Sequence, residues 1–290
     1  MIKKGIVLAG GKGTRMSPLT KAVNKQLLPI YDKPLIFYPL SILMLANIKD
    51  ILIIVNKGQL EQYKKILPNG DNLGIKITYK EQDKPRGLPD AFILGEKFIG
   101  QDNVAMILGD NFFYGQNLTK KLLQNTKLKK GAKVVVHKVQ RPEAFGVAKI
   151  NSKNQIVLIK EKPKKFISDF AITGLYFFDK NVSKYAKQLK PSKRNELEIV
   201  DLLNIYKNKK NLSADLIGRG GAWLDTGSIE DFYKTSAFVS AIENRQGFKI
   251  ACLEEISLSK KWIDRNHINK AINFYGNCEY SNYLKKLIKL

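Results

Sequence analysis

The sequence predicts an α/β fold: a mostly parallel sheet with helices on both faces, a β-rich lobe added to it, and a C-terminal helical appendage. Three observations carry this. Over the first 130 residues, short apolar runs alternate with segments of helical periodicity; after Gly131 the runs become β-like with short connections; from about Arg245 mixed residues end in a basic stretch.

Lys4-Gly-Ile-Val-Leu-Ala-Gly10 is a short apolar run ending in glycine, the form of a buried strand feeding a tight loop. Residues 50–55, 75–79 and 104–108 are further short apolar or alternating runs, and 35–48, 60–67 and 88–98 supply the helical periodicity between them. In such a sheet ligands bind beyond the carboxyl ends of the strands, so the loops at 10–15 and 109–111 share one edge. Residues 133–139, 147–150, 156–160 and 171–178 read as strands of the added lobe, with helices at 198–206 and 229–243. The last segment carries a strand-like 248–253 and a short basic helix near 283–290. No internal repeat, low-complexity run or Pro/Ser linker interrupts the 290 residues.

The chain holds 50 Lys+Arg against 26 Asp+Glu, a formal charge of +24, with 44% hydrophobic residues. That apolar content excludes a disordered basic tail. The basic residues come in ones and twos, such as Lys64-Lys65 and Lys129-Lys130, with no block of five and no finger, zipper or RNP-like strand. The expectation is a solvated basic surface and no nucleic-acid partner. Cys252 and Cys278 make neither a disulfide framework nor a paired zinc site, and His137 and Cys252 read as structural. The longest apolar runs are far short of the roughly 18 residues that span a bilayer, so no membrane partner and a cytoplasmic setting are expected.

The densest chemical signal is Leu8-Ala-Gly-Gly-Lys-Gly-Thr-Arg15, inside an acid-free stretch from Met1 to Tyr31. Glycines after a strand let the backbone approach a ligand, and consecutive N–H groups can cradle phosphate oxygens. Two familiar loops are excluded: Ile6 stands where a Walker A loop needs its first glycine, and Met16 where a dinucleotide fingerprint from Gly11 needs its last. Asn24-Lys25-Gln26 follows. Asp110 ends one apolar run and Asp225 stands between an apolar pair and a glycine turn, a donor set suited to Mg²⁺ held by one or two carboxylates plus substrate phosphates. Glu161-Lys162 adds an acid and a base at the end of another strand.

Together these residues resemble the sugar-nucleotide pyrophosphorylases. The resemblance runs from Gly5 to about Glu255 and fits over residues 8–15, 25–34, 37–45, 108–111, 173–176, 196–199, 222–227 and 245–255. The glycine-rich string beginning at Leu8 is common to the superfamily; the runs from Lys25 to Pro34 and from Arg245 to Ile256 point to its thymidylyl branch.

The resemblance implies a Rossmann-like nucleotidyltransferase domain over 1–245, its nucleotide half about 1–130 and its sugar-binding half about 131–245, then a regulatory and oligomerisation segment at 246–290. It implies that dTTP and α-D-glucose 1-phosphate give dTDP-glucose and pyrophosphate, the first step of dTDP-rhamnose-type sugar synthesis. Arg15 would hold the leaving phosphates, Lys25 the α-phosphate, and Lys162 with Arg194 the sugar phosphate, while Asp110 and Asp225 would bind Mg²⁺. Leu8, Gly10, Gly11, Gly13 and Thr14 would line the nucleotide, with Gln26, Gln82 and Gly87 at the thymine and deoxyribose end. Gly146, Glu161, Ile172 and Thr173 would face the glucose. A homotetramer with a second, feedback-inhibited nucleotide site is implied, with Arg219, Lys249 and Ile256 as its residues.

The chain departs from the family pattern at Pro89-Asp90, where an Ala and an amide or carboxylate residue are usual, and at Lys21-Ala22. UTP or CTP specificity, a non-catalytic regulatory paralogue and a polyanion-binding protein stand as the alternative readings.

Overall fold

The computed structural model describes residues 1–11 and 13–289. Lys12, in the glycine-rich loop, and Leu290, at the end of the expected basic helix, lie outside the described residues.

In chain order the strands are β1 Lys4–Leu8, β2 Pro29–Ile30, β3 Lys33–Pro34, β4 Asp50–Asn56, β5 Lys76–Gln82, β6 Val104–Leu108, β7 Asn111–Gly115, β8 Ala132–Lys138, β9 Gly146–Ile150, β10 Ile156–Glu161, β11 Phe170–Phe178, β12 Leu212–Leu216 and β13 Gly221–Asp225. A nine-stranded sheet runs β10-β9-β11-β6-β1-β4-β5, and β8 pairs with both β11 and β12. β1 is parallel to β4 and β6, and β4 to β5, as the alternation of apolar runs and helices predicts. Sheet direction reverses at β11, which is antiparallel to β6, β8 and β9. The fold class is therefore as expected, with the antiparallel strands forming the β-rich lobe.

Both faces of the sheet are buried. Val7, Ile51, Ile53, Ala105 and Ile107 pack with the helix Phe37–Leu45 on one face. Ile6, Leu52, Ile54 and Met106 pack on the other with Phe92, Phe178 and Leu203. Each such Val, Leu, Ile, Met or Phe side chain contributes roughly 1.5–3 kcal/mol by leaving water, which makes this two-sided burial the main stabiliser of the site's platform.

Several elements differ from expectation. The helical segment 88–98 is two short helices, Asp90–Leu94 and Glu96–Ile99, broken at Gly95. A Cβ at Gly95 would fall 2.9 Å from the Ala91 carbonyl oxygen. Residues 248–253 form no strand. The helix Ile229–Gln246 ends at Gly247, whose φ of 75° is left-handed, and the chain then turns, with Ala251 at φ 56°, into the helix Leu253–Ser259. Ile250 through Leu253 are buried consecutively, which a turn wedged under helices permits and a half-exposed strand does not. The C-terminal basic helix spans Glu279–Leu287, and a helix at Arg265–Tyr275 precedes it, capped by Asp264 accepting from the His267 N–H at 3.1 Å. Among the described residues no helix is long and apolar enough to cross a membrane.

Candidate active site

The carboxyl ends of β1 and β6 lie side by side, joined by the Gly109 N–H donating to the Leu8 carbonyl at 2.9 Å. From β1 the chain enters the glycine loop. Gly13 is left-handed at φ 59°, and Thr20 Oγ1 donates to its carbonyl at 2.8 Å, setting Thr14, Arg15 and Met16 in a single tight turn. Gly10 has no room for a side chain, because a Cβ would meet the Gln82 amide at 2.2 Å; Gln82 Nε2 donates instead to the Gly10 carbonyl. The Lys25 segment is fixed by Asn24, whose Oδ1 accepts from the Gln26 N–H at 2.9 Å and the Tyr63 hydroxyl at 2.7 Å.

Asp110 follows β6, and the β7–β13 ladder sets Asp225 directly opposite Asn111. Thr226 ties the two ends together, its hydroxyl donating to the Asp110 carbonyl at 2.8 Å. Two carboxylates from distant parts of the chain thus converge. Burial alone would raise the Asp110 carboxyl, but the charge and hydrogen bond of Lys25 outweigh it and hold Asp110 below its ordinary range. Burial and the neighbouring Asp110 charge push Asp225 up to about 6, against the pull of Lys25 and Arg15. Asp110 is thus ion-paired with Lys25, while Asp225 has no ion-pair partner within 4 Å among the described residues.

These residues border a continuous cleft made of two cavities that share Arg15, Pro85 and Glu196. The first, about 530 Å³, is lined by Gly11, Gly13, Thr14, Arg15, Lys25, Gln26 and Asp110. The Oε1 of Gln26 is buried with no hydrogen-bond partner in the described structure. The second, about 370 Å³, takes Leu8, Gly10, Gln82 and Gly87 from the first 130 residues and Gly146, Glu161, Lys162, Ile172, Arg194 and Asp225 from the later ones.

Glu161 ends β10 opposite Gly146, where a Cβ would come 3.0 Å from its Oε2. Its carboxyl is raised by burial, in spite of Lys162 and Arg194 nearby. Lys162 turns away from the strand with φ 40°, its N–H donating to the Phe145 carbonyl at 3.0 Å. Arg194 Nη2 meets Glu198 Oε2 at 2.8 Å.

Thr173, expected to face the sugar, does not line the second cavity. Successive residues of β11 point to opposite faces, so with Ile172 lining the cavity Thr173 is buried behind it, its Oγ1 donating to the Val135 carbonyl at 2.8 Å. The three expected regulatory residues lie apart from the cleft. Lys249 and Ile256 line a separate groove of about 440 Å³ with Leu45, Tyr114 and Cys252. Arg219 is in neither lining; its neighbours Gly218 and Gly220 border a smaller adjoining cavity. Pro89 precedes the helix Asp90–Leu94, and Asp90 is buried beside Arg86, outside the cleft lining.

The sequence reading passed over Asn111, Tyr176, Pro85, Glu196 and Glu198. Asn111, next to Asp110, was the most accessible of these; the other four become neighbours of the cleft only through folding.

A glycine loop at the end of β1, two converging carboxylates and five basic side chains along one cleft, Arg15, Lys25, Lys84, Lys162 and Arg194, make the arrangement of a nucleotidyltransferase site. The chain matches the nucleotidyl transferase family model over residues 4–242 and belongs to that family. A further step of resolution comes from its relatives: it is 48% identical to the glucose-1-phosphate thymidylyltransferase of Neisseria meningitidis serogroup A / serotype 4A over 286 residues, 99% of both chains. A Bacillus anthracis protein crystallised with a sucrose superposes with a TM-score of 0.75 at 40% identity, covering 81% of this chain and 94% of that one. UDP-glucose pyrophosphorylase complexed with UDP-glucose superposes at 0.74 with 28% identity, covering 85% and 100%.

Proposed function

We propose that the protein joins dTTP and α-D-glucose 1-phosphate to give dTDP-glucose and pyrophosphate. The observation that carries this reading is the convergence of Asp110, Asp225, Lys25 and Arg15 where the two cavities of the cleft adjoin. A phosphate oxygen of the sugar attacks the α-phosphorus in line; the new P–O bond forms as the bond to the β-phosphate oxygen breaks, and pyrophosphate leaves. The attacking oxygen is already anionic, so no general base is needed and the work is positioning and charge neutralisation. Lys162 and Arg194 hold the sugar phosphate, Lys25 faces the α-phosphate and Arg15 the leaving pair, while Glu161 accepts sugar hydroxyls.

Asp110 and Asp225 fit Mg²⁺, since two converging carboxylates, one of them without an ion-pair partner among the described residues, suit a hard cation whose other ligands are phosphates. When bound, Mg²⁺ supplies charge to the phosphates. The reading includes a cytoplasmic homotetramer, a nucleotide half to about residue 130, and a second nucleotide site at the Lys249 and Ile256 groove, in the segment after residue 245.

The test is pyrophosphate release from dTTP plus glucose 1-phosphate, with and without EDTA. Release that needs both substrates and stops with EDTA is expected; none with either treatment refutes the assignment. The likeness to UDP-glucose pyrophosphorylase makes UTP the rival nucleotide, and a higher kcat/KM for UTP than for dTTP would transfer the assignment to it.

A further inference from the structure

Asn111 Oδ1 accepts two hydrogen bonds, from Trp223 Nε1–H at 2.6 Å and from the Gly174 N–H at 3.0 Å. Both partners are donors only, so the amide atom between them is the oxygen and the orientation of the amide is settled. The amide nitrogen is thereby turned to Asp110, donating to Oδ1 at 3.1 Å, while Lys25 Nζ holds Oδ2 at 2.8 Å. Asp110 is gripped at both oxygens, and one grip begins at Trp223.

The surroundings leave this relay little freedom. Trp223 is 8% exposed and Asn111 3%. The indole packs edge-on to Phe145, with ring centroids 5.1 Å apart, and sits opposite Phe113 in the β7–β13 ladder. At Gly174 a Cβ would lie 2.7 Å from Asn111 Cγ, so only glycine lets the strand approach so closely.

We propose that Trp223 is a positioning residue for the Asp110 carboxylate as a metal ligand: its indole N–H locks the Asn111 amide so that the NH₂, not the carbonyl, faces Asp110. This deepens the proposed function and rests on it for the part Asp110 plays. With the indole donor gone, Gly174 alone orients the amide, and each turn of it sets a carbonyl oxygen against a carboxylate oxygen. Partners one step out from a metal ligand, as Asn111 is, typically govern affinity ten- to a hundredfold, and Trp223, acting through Asn111, is expected at the low end of that range.

The test is calorimetric titration of Mn²⁺ into the full-length wild type and Trp223→Phe, alone and with dTTP, without sugar phosphate. Phe keeps an aromatic face against Phe145 and removes the donor. A fall of about tenfold in Mn²⁺ affinity at a similar melting temperature is expected; equal affinities, or no Mn²⁺ binding by the wild type, overturn the proposal. A second measurement needs no variant: the indole N–H resonance of Trp223 should shift when Mg²⁺ is added, while that of Trp262, beside Lys49 and Lys260, stays in place. An unmoved Trp223 signal also overturns it. The two readings separate cleanly. Wild-type turnover with equal Mn²⁺ affinities sinks the role of Trp223 and keeps the function, whereas a tenfold affinity loss without wild-type turnover does the reverse.

Discussion

Lys25 Nζ and Asp110 Oδ2 lie 2.8 Å apart, with the lysine side chain 7% exposed and the carboxylate 27%. The ammonium is the charge that keeps Asp110 ionised in a site whose burial works the other way. It also lines the 530 Å³ cavity beside Arg15. Lys25→Met should cut turnover by about 10²–10³-fold, the size of losing one preorganised charge donor, and should move the acid limb of the rate profile to higher pH. Wild-type turnover in the variant would remove Lys25 from the chemistry.

Asp225 makes stability depend on pH in the opposite sense to a paired carboxylate. Its folded-state value of about 6 lies above the ordinary 3.8, so the stabilising protonated form is present below the ordinary value and is lost as pH rises through about 6. A shift of roughly two units corresponds to about 3 kcal/mol. Without divalent metal, Asp225→Asn should therefore gain stability relative to wild type between pH 4 and pH 7, by up to that amount. Urea unfolding at several pH values with EDTA measures it. A stability difference that stays flat with pH contradicts the assigned environment, and added Mg²⁺ should narrow the gap by stabilising the wild type alone.

Gly227 shapes the same corner. A Cβ there would stand 2.9 Å from Asp225 Oδ2 and 3.0 Å from Arg15 Nη2. Gly227→Ala should displace both side chains and lower kcat/KM for dTTP by at least about tenfold, with a small change in melting temperature, since flexible side-chain ends give way before backbone does. Unchanged kinetics would mean that neither group needs its present position.

A second charge cluster lies away from the cleft. Lys33 Nζ, 2% exposed, donates to Glu243 Oε1 at 2.9 Å and also contacts Asp32; Glu243 further accepts from the Ile250 N–H at 2.8 Å and pairs with Lys249. Glu243→Ala strands a buried ammonium and a buried N–H, and should cost about 3 kcal/mol in urea unfolding. A loss under about 1 kcal/mol would show that Asp32 alone satisfies the lysines.

What the sequence reveals and what it hides follows from how local each feature is. The glycine loop and Lys25 are legible because backbone approach needs glycines at fixed spacing and because the stretch around them holds no acid. The strands β1, β4 and β6 are legible as unbroken apolar runs, the mark of burial on both faces, whereas the edge strand β5 shows only the alternation of a half-exposed strand. Thr173 was misread although period-two alternation with Ile172 already set it on the other face. Residues 248–253 misled because a run of apolar side chains says they are buried without saying whether by a ladder or by a turn. The β7–β13 pairing joins residues more than a hundred positions apart, and no local pattern announces it; only folding shows why Asp225 meets Asp110 and why Trp223 reaches Asn111.

That pairing bears on how such a protein can be engineered and how it can have diversified. Asp110 lies in the first half of the chain and Asp225 in the second, yet Thr226 and the ladder at Asn111 and Asp225 stitch them into one corner. The two halves are thus not interchangeable cassettes. A chimera that imports a relative's sugar lobe wholesale brings one carboxylate from each parent and must match them across a foreign seam, so graft boundaries belong outside β13, and new sugar preferences are better sought by substitution within the lobe.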